Sequence, residues 1–151
     1  PRVSTTLAKQ LALYVIIHSP LQMASDFIEN YEEHSEAFEF IKSVPVDWDT
    51  TIVLNGEIEQ FLTIARKDKN SDNWYIGGIT NEESRTLQFD LSFLDEGSYI
   101  AKIYADGDTA DWESNPLDYK IFERVVSKGE LITMKLANGG GQAIELKKVK
   151  N

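Results

Sequence analysis

Beyond Pro45 the sequence is cut into short β-prone runs by turn chemistry at close intervals, and that rhythm narrows the fold more than any single motif. The runs predict strands over Trp48 to Leu54, Ile58 to Lys67, Asn73 to Thr80, Arg85 to Leu91, Ser98 to Asp106, Tyr119 to Val126, Glu130 to Leu136 and Gln142 to Lys148. The breaks carry Asn55-Gly56, "DKNSD" (68–72), "DEG" (95–97), Lys128-Gly129 and "NGGG" (138–141). Asn and Gly accept the backbone of tight turns, so each break can reverse the chain between neighbouring strands. About eight such strands predict a mainly β fold, an antiparallel β-sandwich.

The first 45 residues follow a different grammar. Leu7, Leu11, Tyr14, Val15 and His18 recur on one helical face, with Ser4 or Thr5 as cap, and Ala12, Leu13, Ile16 and Ile17 widen that face almost all round. Such a helix is expected to be buried on more than one side. Pro20 ends it, and Leu21 to Ala24 is short enough for a buried strand. A second helix is predicted from Asn30 as cap, with Glu33 completing a capping box and Tyr31, Ala37, Phe38 and Ile41 on its apolar side, until Val44-Pro45 closes it. Helix, strand, helix is the pattern of a parallel α/β layer, which one unit cannot bury alone. The reading is therefore of two parts, 1–45 and 46–151, with the face from Leu7 to His18 left exposed and prone to self-association in this chain alone.

Charge and composition limit the partners. The 151 residues carry 25 acids against 15 bases, a net charge of −10 that opposes binding to nucleic acid. The run Leu11 to Ile17 is too short to cross a bilayer, so no membrane partner is expected. Without cysteine there is no disulfide and no thiolate metal site, and two histidines are too few for a histidine metal centre or a triad. The start "PRVSTT" has neither an initiating Met nor the order of a signal peptide and reads as a cut through a longer polypeptide.

Few residues invite a chemical reading. The loop "DGDTADWESNPLDY" collects Asp106, Asp108, Asp111, Glu113 and Asp118, but Ala110 stands where a helix-loop-helix calcium site wants an oxygen ligand, so a solvated acidic loop and no metal is expected. "NGGG" lacks the Lys-Ser/Thr and helix of a phosphate loop and reads as a tight turn into the last strand. Trp112 is the best candidate for stacking on a sugar ring, with packing as the competing reading. Trp74 and Tyr75 alternate in one strand, so one of them should enter the core.

Four stretches in order, "TTLAKQLALYVIIHSPLQMASDFIENYE", "FIKSVPVDWDTTIVLNGEIEQFLTIARK", "NWYIGGITNEESRTLQFDLSFLDEGSYIAKIYADG" and "LANGGGQAIELKK", resemble the C-terminal end of glycoside hydrolase family 97. The resemblance implies a multidomain α-glycosidase acting on α-glucosides or α-galactosides, with a (β/α)8 catalytic barrel ahead of a C-terminal β-domain that serves oligomerisation or braces the barrel. It makes residues 1–45 the last helix-strand-helix portion of that barrel and the barrel its partner, along with the oligosaccharide substrate and a second copy in a homo-oligomer. The catalytic carboxylates and the calcium ion of the family belong to upstream barrel positions, so no catalytic residue and no cofactor is expected in this chain. If Leu21 to Ala24 is a barrel strand, Asp26 and Tyr31 fall at the mouth of the substrate pocket of the whole enzyme. The family also implies a periplasmic or secreted location in bacteria. The alternative reading is a free-standing carbohydrate-binding or interaction module, resting on exposed aromatics such as Trp112.

Overall fold

The computed structural model describes residues 4–22 and 28–150. Three helices, α1 (Leu7–Ile16), α2 (Ile28–Glu33) and α3 (Ser35–Ser43), precede eight strands: β1 (Trp48–Glu57), β2 (Phe61–Asp68), β3 (Trp74–Thr80), β4 (Arg85–Asp90), β5 (Ser98–Asp106), β6 (Tyr119–Ser127), β7 (Leu131–Leu136) and β8 (Gly141–Lys148). The strands form a six-stranded sheet in the order β1-β2-β3-β8-β5-β6 and a two-stranded ribbon β4-β7. Every pairing is antiparallel. The mainly β fold expected from the turn rhythm is present, with all eight strands close to their predicted places.

The ribbon lies on one face of the large sheet. Buried and exposed residues alternate along β4 and β7, so Leu87, Phe89, Ile132, Met134 and Leu136 turn inward onto Trp74, Ile76, Ile103, Ile144 and Leu146. The helices cover the opposite face, where Leu11, Ala12, Val15, Phe40 and Val44 share a second core with Tyr75, Tyr104 and Ala143. Fully burying a Leu, Val or Phe side chain is worth about 1.5–3 kcal/mol, so both layers add substantially to one folded unit. Because the sheet is covered on both sides, Trp74 and Tyr75 are both buried, Trp74 against Phe93 and Tyr75 against Phe40. The expectation that only one of them enters the core fails for that reason.

Several local readings change. α1 is not left with an open face: Ala8, Leu11, Ala12 and Val15 are buried against the chain's own sheet. Its cap is Thr6, whose hydroxyl accepts from the Lys9 amide at 3.2 Å, and not Ser4 or Thr5. Asn30 lies inside α2, and His34, with non-helical dihedrals, separates α2 from α3. The buried aromatic of α3 is Phe40, while Phe38 lies under the Lys42 ammonium. Asn55-Gly56 does not turn the chain. A register shift between Val53 and Asn55 absorbs the irregularity within β1, and the reversal comes later, at Ile58 to Gln60, with Glu59 in the left-handed region at φ 65°. Leu21 and Gln22 are not in a strand, and Leu21 is 72% exposed; Met23, Ala24 and Asp26 lie outside the described residues. Among the described residues no helix is long and apolar enough to cross a membrane.

Candidate functional site, the seam between the first helix and the sheet

α1 lies on β3 and β8 along a close-packed seam. Close approach needs missing side chains, and the sequence supplies them. A Cβ on Gly77 of β3 would sit 2.6 Å from the Ala12 carbonyl oxygen, and one on Gly141 of β8 would sit 2.5 Å from the Lys9 Cα. Gly78, the next residue of β3, faces the other way, where a Cβ would meet Met134 Sδ at 2.6 Å. The adjacent glycines of "WYIGGIT" thus serve opposite layers, one the helix and one the ribbon.

Both ends of α1 are fixed by charged groups from distant strands. The helix has no acid in its first turn and no base in its last. At its C-terminal end the buried Arg66 of β2 donates from Nε to the Val15 carbonyl at 2.6 Å and from Nη2 to the Ile16 carbonyl at 3.1 Å, while Nη1 reaches Thr51 Oγ1 at 3.0 Å. These carbonyls have no partner within the helix, and a cation there complements the helix dipole. At the N-terminal end, Asp106 of β5 is 5% exposed and bears on the Thr6 hydroxyl. Its Oδ2 accepts from the amides of Ala137 at 2.9 Å and Gly141 at 3.0 Å. Burial pushes the Asp106 carboxyl above its ordinary range, and the Thr6, Ala137 and Gly141 donors pull against that rise. Lys9 extends from α1 to the Thr80 carbonyl at 2.7 Å, and burial lowers the ammonium. Backbone bonds close the corner, from the Thr6 amide to the Gly139 carbonyl at 3.1 Å and from the Leu7 amide to the Pro116 carbonyl at 2.8 Å.

The turn "NGGG" does more than lead into β8. Gly139, at φ 61°, lies against Trp112, where a Cβ would come within 2.6 Å of the Trp112 Cβ, and the Trp112 amide donates to the Asn138 carbonyl at 3.2 Å. Trp112 is accordingly half-buried, wedged on this turn. Three acids of its loop, Asp108, Asp111 and Asp118, have their own partners. Lys120 bonds Asp108 at 2.8 Å and holds its carboxyl below the usual range, while the Ser114 and Glu113 amides do the same for Asp111. Asp118 accepts from the amide and hydroxyl of Thr109. No three acidic or histidine side chains converge on one point among the described residues. Tyr31 lies in α2, its side chain outside the described set, as is Asp26.

Sequence reasoning did not single out Arg66 or Gly77, and it met Asp106 only as a loop acid and Gly141 only as part of a tight turn. The groups they hold on α1 lie at least fifty positions away in the sequence, so no local pattern pointed at the seam.

The structure is a mainly antiparallel β-domain capped by helices, with the buried Arg66 and Asp106 at the two ends of α1. The chain belongs to the family described as Glycosyl-hydrolase 97 C-terminal, oligomerisation, which matches residues 47–147. It is similar to the retaining alpha-galactosidase of Bacteroides thetaiotaomicron, with 37% identity over 147 residues, 97% of this chain and 22% of that protein. A probable retaining alpha-galactosidase of Streptomyces bingchenggensis is 27% identical over 136 residues, 90% of this chain and 20% of that protein. Among solved structures, a Glycoside Hydrolase Family 97 enzyme from Pseudoalteromonas sp. strain K8 in complex with acarbose superposes with a TM-score of 0.96 and 44% identity, covering 99% of this chain and 23% of that one. The chain therefore spans between 20% and 23% of the length of these relatives.

Proposed function

We propose that the chain is the non-catalytic C-terminal region of a family 97 α-glycosidase, which joins subunits and braces the catalytic barrel of an enzyme acting on α-galactosides or α-glucosides. The observation that carries this reading is the doubly anchored helix. α1 is held on the sheet by Arg66 at one end and the Asp106 corner at the other, yet Ile17 and Leu21 beyond it are 56% and 72% exposed. A rigid bracket with apolar residues on its outer end suits contact with a neighbouring domain or subunit. In this reading residues 1–45 belong with the end of the barrel, and Asp26 and Tyr31 line the mouth of its substrate pocket.

Calcium, as the family resemblance implies it, belongs to residues of the upstream barrel; in this chain Asp108, Asp111 and Asp118 bond Lys120, backbone amides and Thr109. The periplasm or the cell exterior is the proposed location. The free-standing sugar-binding module is the second reading. Trp112 lends it little support, since its side chain packs on Gly139.

The test compares the whole polypeptide from the source cells with the 151-residue chain on p-nitrophenyl α-galactoside and α-glucoside. The whole polypeptide should hydrolyse one of them and the chain neither. Turnover by the chain, or none by the whole polypeptide, would overturn the proposal.

A further inference from the structure

The ribbon β4-β7 is narrower than the sheet it covers, and beyond the end of β7 it leaves part of β5, β6 and β8 open. There a pocket of about 510 Å³ opens, within the 300–1,000 Å³ range of small-ligand sites. Its floor is one cross-strand row, Lys120 of β6, Ala105 of β5 and Gln142 of β8, set by the register of the three strands. Leu136 and Lys135 of β7 form one wall, and Phe122, 44% exposed, forms another.

Gln142 is the unusual member. Its side chain is on the pocket wall and the residue is 4% exposed, yet it makes no side-chain hydrogen bond with any of the described residues. Its amide opens onto the pocket and is free to bond whatever occupies it. An amide offers a donor and an acceptor side by side, which is what adjacent hydroxyl groups require. Phe122, on β6 across β5 from Gln142, supplies a flat apolar surface on the other side of the same pocket. The charges on the lining balance, two lysines (Lys120 and Lys135) against two aspartates (Asp106 and Asp108), with Lys120 already bonded to Asp108 at 2.8 Å. That balance, on a chain of net charge −10, disfavours an anion and fits a neutral ligand.

We propose that this pocket binds a neutral hexose unit of an oligosaccharide, with Gln142 bonding its hydroxyl groups and Phe122 against its carbon face. The sugar site is then Phe122 and Gln142, and not Trp112. The proposal rests on the pocket's own residues, so its failure would leave the C-terminal assignment intact, and the activity comparison above decides that assignment separately.

The test titrates the uniformly ¹⁵N-labelled chain with maltose and with melibiose, followed by amide chemical shifts. Saturable shifts are expected for the amides of Ala105, Phe122, Ala137 and Gln142 with at least one of the two sugars. Phe122→Ala and the near-isosteric Gln142→Met should each weaken binding tenfold or more, while amides remote from the pocket keep their positions and so report an intact fold. The proposal is overturned if neither sugar moves these amides up to its solubility limit. Shifts centred on Trp112, binding by both variants as tight as that of the unaltered chain, or saturation by inorganic phosphate with both sugars silent would overturn it as well.

Discussion

At the scale of single residues, the two glycines of β3 make opposite demands. A methyl group at position 77 meets a backbone carbonyl of α1 at 2.6 Å, whereas at position 78 it meets the flexible end of Met134 at the same distance. A thioether can turn aside, and a helix backbone clamped at both ends cannot. Gly77→Ala should therefore lose about 1–3 kcal/mol, the cost typical of overpacking, and Gly78→Ala clearly less. Urea unfolding of the two variants measures the difference, and equal losses would contradict the close approach of α1 to β3.

Asp106 makes a prediction about pH. Its folded-state value lies above the ordinary 3.8, chiefly through burial. The folded protein thus holds this proton more tightly than the unfolded chain does, so the contribution is favourable below pH 3.8 and is lost as the pH rises through the raised value. In Asp106→Asn the side-chain oxygen can still accept from Ala137 and Gly141 without ever taking a charge. Its melting temperature, relative to that of the unaltered chain, should rise with pH across this window. A difference that stays constant with pH would show that the carboxylate is not buried in the way described.

At the scale of elements, α1 is held by tertiary bonds where its own sequence supplies no charge. Arg66→Met keeps much of the side chain's volume and removes both donors from the Val15 and Ile16 carbonyls. A hydrogen bond to a charged group is worth about 1.5–3 kcal/mol, so the expected loss is of that order, with the last turn of α1 losing amide hydrogen-exchange protection before the sheet does. Exchange that is unchanged along α1 would remove Arg66 as its anchor.

The same element shows what was readable in advance. The strands were legible because inward and outward residues alternate and because Gly, Asn and Asp punctuate them, as in β7, where every second residue is buried. The exception, Asn55-Gly56, has turn chemistry but lies on a bulge, and local composition does not separate the two. The apolar character of α1 was legible too, but not what covers it. That depends on Gly77 and Gly141, which reveal a close approach only once β3 and β8 are known to be neighbours. Arg66 and Asp106 left no mark in the sequence around α1, because a long-range salt or hydrogen bond has no period to detect.

At the scale of the whole molecule, a sheet covered on both faces explains why β3 and the first six residues of β8 are buried without the usual alternation and why the helices pack on the strands. The unit uses its buried Arg66 and Asp106 to anchor α1. Its outward features include apolar residues beyond α1, Ile17 and Leu21, and the pocket lined by Phe122. Those properties suit a brace and contact surface within a longer enzyme, and the relatives it matches are four to five times its length. The most direct measurement is the size of the native polypeptide, read by an antibody against this chain on an extract of the source cells. The account predicts a band several times heavier than 17.1 kDa. A band at 17.1 kDa would contradict it and leave a separate module in its place.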